Sequence, residues 1–131
     1  MAYDVLVVED SAAMRSFIAS TIEEIDDVTV TEAGSGFEAL KELPRRNYQL
    51  IITDINMPDI NGLELIRFIR DNDRFKLTPL IIVSTESSKR DQERGLALGA
   101  NSYLVKPFSP DDLRDCVEQY LKNAPDASGE D

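Results

Sequence analysis

Short apolar runs and stretches of helical period alternate along this chain five times. The runs, Tyr3 to Val8, Val28 to Ala33, Leu50 to Thr53, Pro79 to Val83 and Ser102 to Val105, have strand length and end at polar or Pro- and Gly-marked positions. Between the first two, Met14, Phe17, Ile18, Thr21, Ile22 and Ile25 recur at a spacing that puts one stripe of a helix against a sheet. Ser35, with Glu38 three residues on, is a capping-box signature that opens a short second helix ending near Leu43-Pro44. Leu63, Ile66 and Ile69 mark a third helix. The fourth, about Lys89 to Leu98, is mostly charged, with Leu96 and Leu98 before Gly99, and the run 87–94 reads as a solvated face. The fifth starts with Ser109 as N-cap, Pro110 at the first helical position and Asp111-Asp112 in the first turn.

Five βα units predict an α/β fold, a doubly wound five-stranded parallel sheet with helices on both faces. At 131 residues, 42% of them hydrophobic, the chain has room for one core. Residues 1–123 are expected to form that domain, and 124–131, with Pro, Ser, Gly and acids, a disordered acidic tail. The 25 acidic against 14 basic residues give a net charge of −11, which disfavours nucleic acid and anionic membrane surfaces. No apolar run approaches the ~20 residues of a membrane span, and no basic region precedes an apolar stretch at the amino terminus, so a cytoplasmic location is expected. Cys116, the one cysteine, shares an apolar stripe with Leu113, Val117 and Leu121 and reads as a core residue.

Chemistry gathers where strands end. Glu9-Asp10 follows Val5-Leu6-Val7-Val8, Asp54 follows Leu50-Ile51-Ile52-Thr53, Ser84 follows the fourth run, and Lys106 follows Tyr103-Leu104-Val105. The carboxyl edge of an open α/β sheet is where ligands bind. Singly, these residues have ordinary readings: Asp54 as a turn or cap aspartate, Glu9-Asp10 as caps of the first helix, with Asp10 or Ser11 as N-cap, and Lys106 as a solvated lysine. Together they describe a site. Two like charges about 4 Å apart repel by ~4 kcal/mol in a partly shielded protein environment, so converging carboxylates call for a cation. Mg²⁺ suits a site with few direct carboxylates, retained water and an incoming phosphate. A carboxylate beside such a cation and a lysine can attack a phosphoryl group to form an acyl phosphate. The chain has no histidine, so a phosphohistidine donor must be another protein.

The acidic pair Glu9-Asp10, the segment Asp54-Ile-Asn-Met-Pro-Asp-Ile-Asn-Gly62, Ser84 before Thr85-Glu86, and Tyr103-Leu-Val-Lys106-Pro107-Phe108 resemble the receiver domain of two-component response regulators. More narrowly they resemble its stand-alone chemotaxis members of the CheY-like type. The separations, 44 from Asp10 to Asp54, 30 to Ser84 and 22 more to Lys106, match that family's. The resemblance implies a flavodoxin-like (βα)5 fold with strand order 2-1-3-4-5. It implies that Asp54 is the phosphoacceptor and that Glu9, Asp10, Asp54 and the backbone carbonyl of Asn56 hold Mg²⁺. Ser84 would be the switch hydroxyl, Lys106 the phosphate-contacting lysine, Lys106–Pro107 a cis peptide, and Tyr103 a rotating aromatic. Without the resemblance, Tyr103 reads equally well as a half-buried core residue.

The implied function is a single-domain regulator, expected to be monomeric and not an enzyme beyond its own phosphorylation and slow dephosphorylation. A histidine kinase would phosphorylate it, and the face of the fourth helix, fifth strand and fifth helix would act on an effector protein. A phosphorelay intermediate is an alternative. A haloacid-dehalogenase-type phosphatase is another, although that family wants an aspartate where Asn56 stands. Three positions depart from the usual pattern: Glu9 for aspartate, Ser84 for threonine, and Thr85 for alanine or glycine. Thr85 also offers a hydroxyl, but the spacing to Lys106 favours Ser84. Glu86 has two readings, orienting a hydrolytic water together with Asn56 or standing solvated.

Overall fold

The computed structural model describes residues 2–86 and 88–122. The tail 124–131 and Ser87 of the charged run lie outside the described residues. In chain order the elements are β1 (Tyr3–Val8), α1 (Ala12–Ile22), β2 (Val28–Ala33), α2 (Gly36–Glu42) with a following 3-10 turn (Leu43–Arg45), β3 (Leu50–Thr53), α3 (Gly62–Asp71), β4 (Leu80–Ser84), α4 (Lys89–Ala97), β5 (Ser102–Val105) and α5 (Pro110–Lys122). The strands form one parallel sheet in the order β2-β1-β3-β4-β5.

Strand periodicity sorts the core into two layers. Leu6, Val8, Ile51, Leu80 and Ile82 point to one face, where Ala39 of α2 and Leu65, Ile66 and Ile69 of α3 cover them. Val5, Val7, Leu50, Ile52, Ile81 and Val83 point to the other, against Ile18 and Ile22 of α1 and Leu113, Val117 and Leu121 of α5. β1, β3 and β4 are buried on both faces, which is why they read as unbroken apolar runs.

The sequence boundaries and caps need three corrections. β4 runs one residue later than its apolar run, because Pro79 has no N–H for the ladder while the Ser84 carbonyl still receives Lys106 N–H at 2.7 Å. α1 ends at Ile22, and Ile25 packs on the core from the turn beyond it. The box at Ser35 is only half formed: Ser35 Oγ accepts Glu38 N–H at 3.1 Å, but Glu38 Oε1 reaches past the cap to Gly34 N–H. The reciprocal arrangement stands instead at α3, where Asn61 Oδ1 accepts Leu63 N–H and Glu64 Oε1 accepts Asn61 N–H.

Two contacts beside the core stand out. α4 meets the sheet through Gly95 rather than Leu96: a side chain there would collide with Ile82 and crowd Tyr103, while Leu96 is 45% exposed. Cys116 is half-buried beside the core rather than in it, and burial pushes its thiol up. Ser109 caps α5 as expected, its hydroxyl accepting Asp112 N–H at 3.0 Å. Among the described residues no helix is long and apolar enough to cross a membrane.

Candidate functional site

Sheet register decides which strand-end residues meet. Val8 lies opposite Thr53, so the next residues, Glu9 and Asp54, emerge side by side from the two central strands. Their backbones continue the ladder: Asp54 N–H donates to Val8 O and Glu9 N–H to Ala33 O, both at 3.0 Å. Ser84 ends β4 opposite Val105 of β5, which sets Lys106 one step beyond that pair. The Lys106–Pro107 peptide is cis.

The side chains converge. One carboxylate oxygen from each of Glu9, Asp10 and Asp54 lies within 4.8 Å of the others. Lys106 Nζ bridges two of them, 2.7 Å from Glu9 Oε1 and 3.1 Å from Asp54 Oδ2. Glu9 and Asp54 are 1% and 6% exposed, so water screens this pair little, whereas Asp10 faces solvent. Ser11 is the N-cap of α1, accepting Met14 N–H, so Asp10 is not needed for capping. Glu9 Oε2 receives Ser11 N–H at 3.0 Å, which leaves Oε1 for Lys106.

Burial raises the Glu9 carboxyl above its ordinary 4.5, against the hydrogen bonds from Lys106 and Ser11 N–H that favour the anion. For Lys106 burial works toward the neutral form, but the hydrogen bonds to Glu9 and Asp54 and their charges outweigh it and hold the ammonium above its ordinary 10.5. The lysine therefore stands charged between two carboxylates. Its ammonium offsets the repulsion that such a cluster would otherwise carry.

Asp54 is aimed by its own loop. Its Oδ1 accepts Ile55 N–H at 2.6 Å and Asn56 N–H at 3.4 Å, leaving Oδ2 turned to Lys106. Gly62 closes that loop with its N–H on Ile55 O at 2.8 Å. A Cβ at Gly62 would run into the backbone of Asp54 and Ile55, so only glycine lets α3 begin this close to the carboxylate.

Ser84 is fully buried at the end of β4, while Thr85 is exposed, so the buried hydroxyl at this edge is that of Ser84. Its Oγ accepts Glu86 N–H at 3.0 Å. Tyr103 is half-buried and donates its hydroxyl to Glu86 O at 2.8 Å, while its ring packs on the α3 side of the core. Asn56 and the exposed Glu86 line a common cleft of about 150 Å³ with Asn61 and Arg94.

One contributor escaped the sequence reading. Asp59, in the loop after Asp54, accepts Gly36 N–H at 3.1 Å and Phe37 N–H at 2.9 Å from the first turn of α2. These bonds, with Phe37 N–H foremost, lower its carboxyl to about 2. The only local hint was an aspartate in a turn segment, and its partners lie more than twenty residues away.

The donor set fits a hard divalent cation: three oxygen ligands close together, two on adjacent strands, with room for water on the Asp10 side.

Comparison with known proteins agrees with this geometry. "Chemotaxis protein CheY1" of Helicobacter pylori is 40% identical over 117 residues, which are 88% of this chain and 94% of that protein. "Chemotaxis protein CheY" of Pseudomonas aeruginosa is 35% identical over 119 residues, 90% of this chain and 95% of that protein. The structure of the chemotaxis response regulator CheY4 of Vibrio cholerae superposes with a TM-score of 0.86 at 33% identity, covering 92% of this chain and 100% of that one. The model of the response regulator receiver domain matches residues 5–118, from within the first buried strand into the last helix. The sheet and all that stands at its carboxyl edge thus fall within one relationship, and the chain belongs to the response regulator receiver domain family.

Proposed function

We propose that this protein is a CheY-like response regulator that accepts a phosphoryl group on Asp54 from a histidine kinase and passes the signal to an effector protein, in chemotaxis or a related motility response. The observation that carries the proposal is Lys106 Nζ held between buried Glu9 and Asp54, with Asp10 completing the acidic cluster. The absence of histidine from the chain supports an external phosphohistidine donor. The 40% identity to CheY1 over 88% of this chain supports a CheY-like regulator.

In this reading the carboxylates of Glu9, Asp10 and Asp54 and the backbone carbonyl of Asn56 hold Mg²⁺. When bound, Mg²⁺ neutralises charge on the transferring phosphoryl oxygens. Asp54 Oδ2 is the attacking oxygen, because Oδ1 is occupied by the Ile55 N–H. Lys106 has only to exchange that carboxylate oxygen for a phosphoryl oxygen. Ser84 is the switch: its oxygen accepts from Glu86 N–H, its hydroxyl meets that of Tyr103, and its proton turns to the phosphoryl group once one is present. Phosphorylation adds about −1.5 to −2 charge, and moving a two-state equilibrium from mostly inactive to mostly active takes ~5.5 kcal/mol of preference. The Ser84 and Lys106 contacts are where that preference arises.

We place the output on the face of α4, β5 and α5, where α4 carries exposed Leu96, β5 is only half covered, and Tyr103 sits as the movable aromatic. Asn56 two positions after Asp54, in place of an acid, supports a modified signalling residue rather than a turnover enzyme. We read the protein as a cytoplasmic monomer. With Mg²⁺ and a small acyl phosphate as donor, intact-mass spectrometry of the wild-type chain should show one added phosphoryl group, and Asp54→Ala should show none. Equal labelling of the variant would refute the assignment.

A further inference from the structure

We infer that Asp59 is a positioning residue for the metal site, tying the loop that carries Asn56 to the amino end of α2. The inference rests on the proposed Mg²⁺ site and adds a residue that does not touch the ion.

The segment from Asp54 to Gly62 leaves the sheet at the site and returns to start α3. Its inner limb is fixed by the Ile55 and Asn56 N–H groups on Asp54 Oδ1, and its closure by Gly62 N–H on Ile55 O. Neither holds the outer limb. That limb is held by the Asp59 carboxylate, whose two oxygens take Gly36 N–H and Phe37 N–H separately, at 3.1 and 2.9 Å. Hydrogen bonds to an ionised acceptor are about twice as strong as neutral ones, and a helix start favours negative charge.

A second contact makes the attachment close as well as charged. A Cβ at Gly36 would stand 2.6 Å from Ile60 Cβ, so the loop lies directly against the α2 backbone. α2 in turn is packed on the sheet through Ala39, and through Leu43 of the turn that follows it, which makes it a rigid post for the loop. Without Asp59 the outer limb keeps only apolar contacts, Ile60 against Gly36 and Met57 and Ile60 against the core, and the carbonyl of Asn56 loses its fixed aim.

An ordinary helix cap would stabilise α2 and do nothing to the site. Ser35 supplies the control: it caps the same helix through Glu38 N–H and makes no bond to the loop. Isothermal titration of the full chain with Mg²⁺ alone, beside urea unfolding, separates the two roles. Asp59→Ala should weaken Mg²⁺ binding by about tenfold, the low end of what outer residues of metal sites contribute. Ser35→Ala should lower the unfolding midpoint and leave Mg²⁺ affinity unchanged. Should Asp59→Ala not fold, Asp59→Asn, which keeps an acceptor but not the charge, carries the same test with a smaller loss. Wild-type affinity in the Asp59 variants, or an equal loss in Ser35→Ala, would overturn the inference. A wild-type chain that binds no Mg²⁺ would refute the metal site itself, and the inference with it.

Discussion

Glu9 and Asp59 are both carboxylates near the site, and their environments pull them in opposite directions. Asp59 is exposed and receives two backbone N–H groups, so it stays ionised down to about pH 2. Glu9 is buried, and desolvation raises it above 4.5 despite its contact with Lys106. A carboxyl raised in the folded state holds its proton where the unfolded chain has released it, so the stability it confers is present below pH 4.5 and lost as pH rises through the elevated value. Stability of the chelator-treated protein, read from urea midpoints between pH 4.5 and neutrality, where Lys106 stays charged, should therefore fall with pH more steeply for the wild type than for Glu9→Gln. Coincident slopes would mean that burial does not govern this group. Mg²⁺ should remove the difference by holding Glu9 ionised.

Elements set the site through where they begin and end. β1 and β3 stop level with each other, β4 and β5 two residues further along the same carboxyl edge, and α3 starts against the Asp54 backbone because residue 62 is glycine. Gly62→Ala puts a methyl group into that backbone, so α3 or the Asp54 turn must shift, at a cost of about 1–3 kcal/mol for overpacking. Its urea midpoint should fall accordingly, and labelling of Asp54 by a phosphodonor should slow; an unchanged labelling rate would show that α3 alone moves.

This scale also divides what the sequence disclosed from what it hid. Strand ends were legible because an apolar run followed by Glu9, Asp54 or Lys106 is a local pattern. The packing of α4 was not, because its contact is Gly95, a residue with no side chain to register as apolar. The true partner of Glu38 was hidden for a similar reason: the Gly34 backbone leaves no mark in the residue types.

Across the molecule the site at the carboxyl edge is matched by a second polar centre at the amino edge, around Arg70 of α3. Its guanidinium donates to the carbonyls of Gly99, Phe75, Lys76 and Thr78 and to Asn101 Oδ1, which also receives Leu80 N–H. One side chain thus joins the end of α3, the turn before β4 and the turn between α4 and β5. Gly99, at φ +120, leaves room for the Arg70 side chain that an added Cβ would meet. Burial lowers the guanidinium below its ordinary 12.5. Arg70→Met keeps the stem and leaves these carbonyls without their donor, so it should destabilise by about 3 kcal/mol on the scale of hydrogen bonds to charged groups. A urea midpoint within error of wild type would show that water replaces the arginine. The arginine was invisible in the sequence, since its partners are mostly backbone carbonyls and lie up to 31 residues away.

Besides their direct side-chain hydrogen bond, Ser84 and Tyr103 share one backbone partner: Glu86 gives its N–H to the serine and takes the tyrosine hydroxyl on its carbonyl. That link is indifferent to which side chain stands at position 86, and proline alone, with no N–H to give, would remove it. Evolution is thereby free to vary the residue at the mouth of the cleft without disturbing this backbone link between the two hydroxyls.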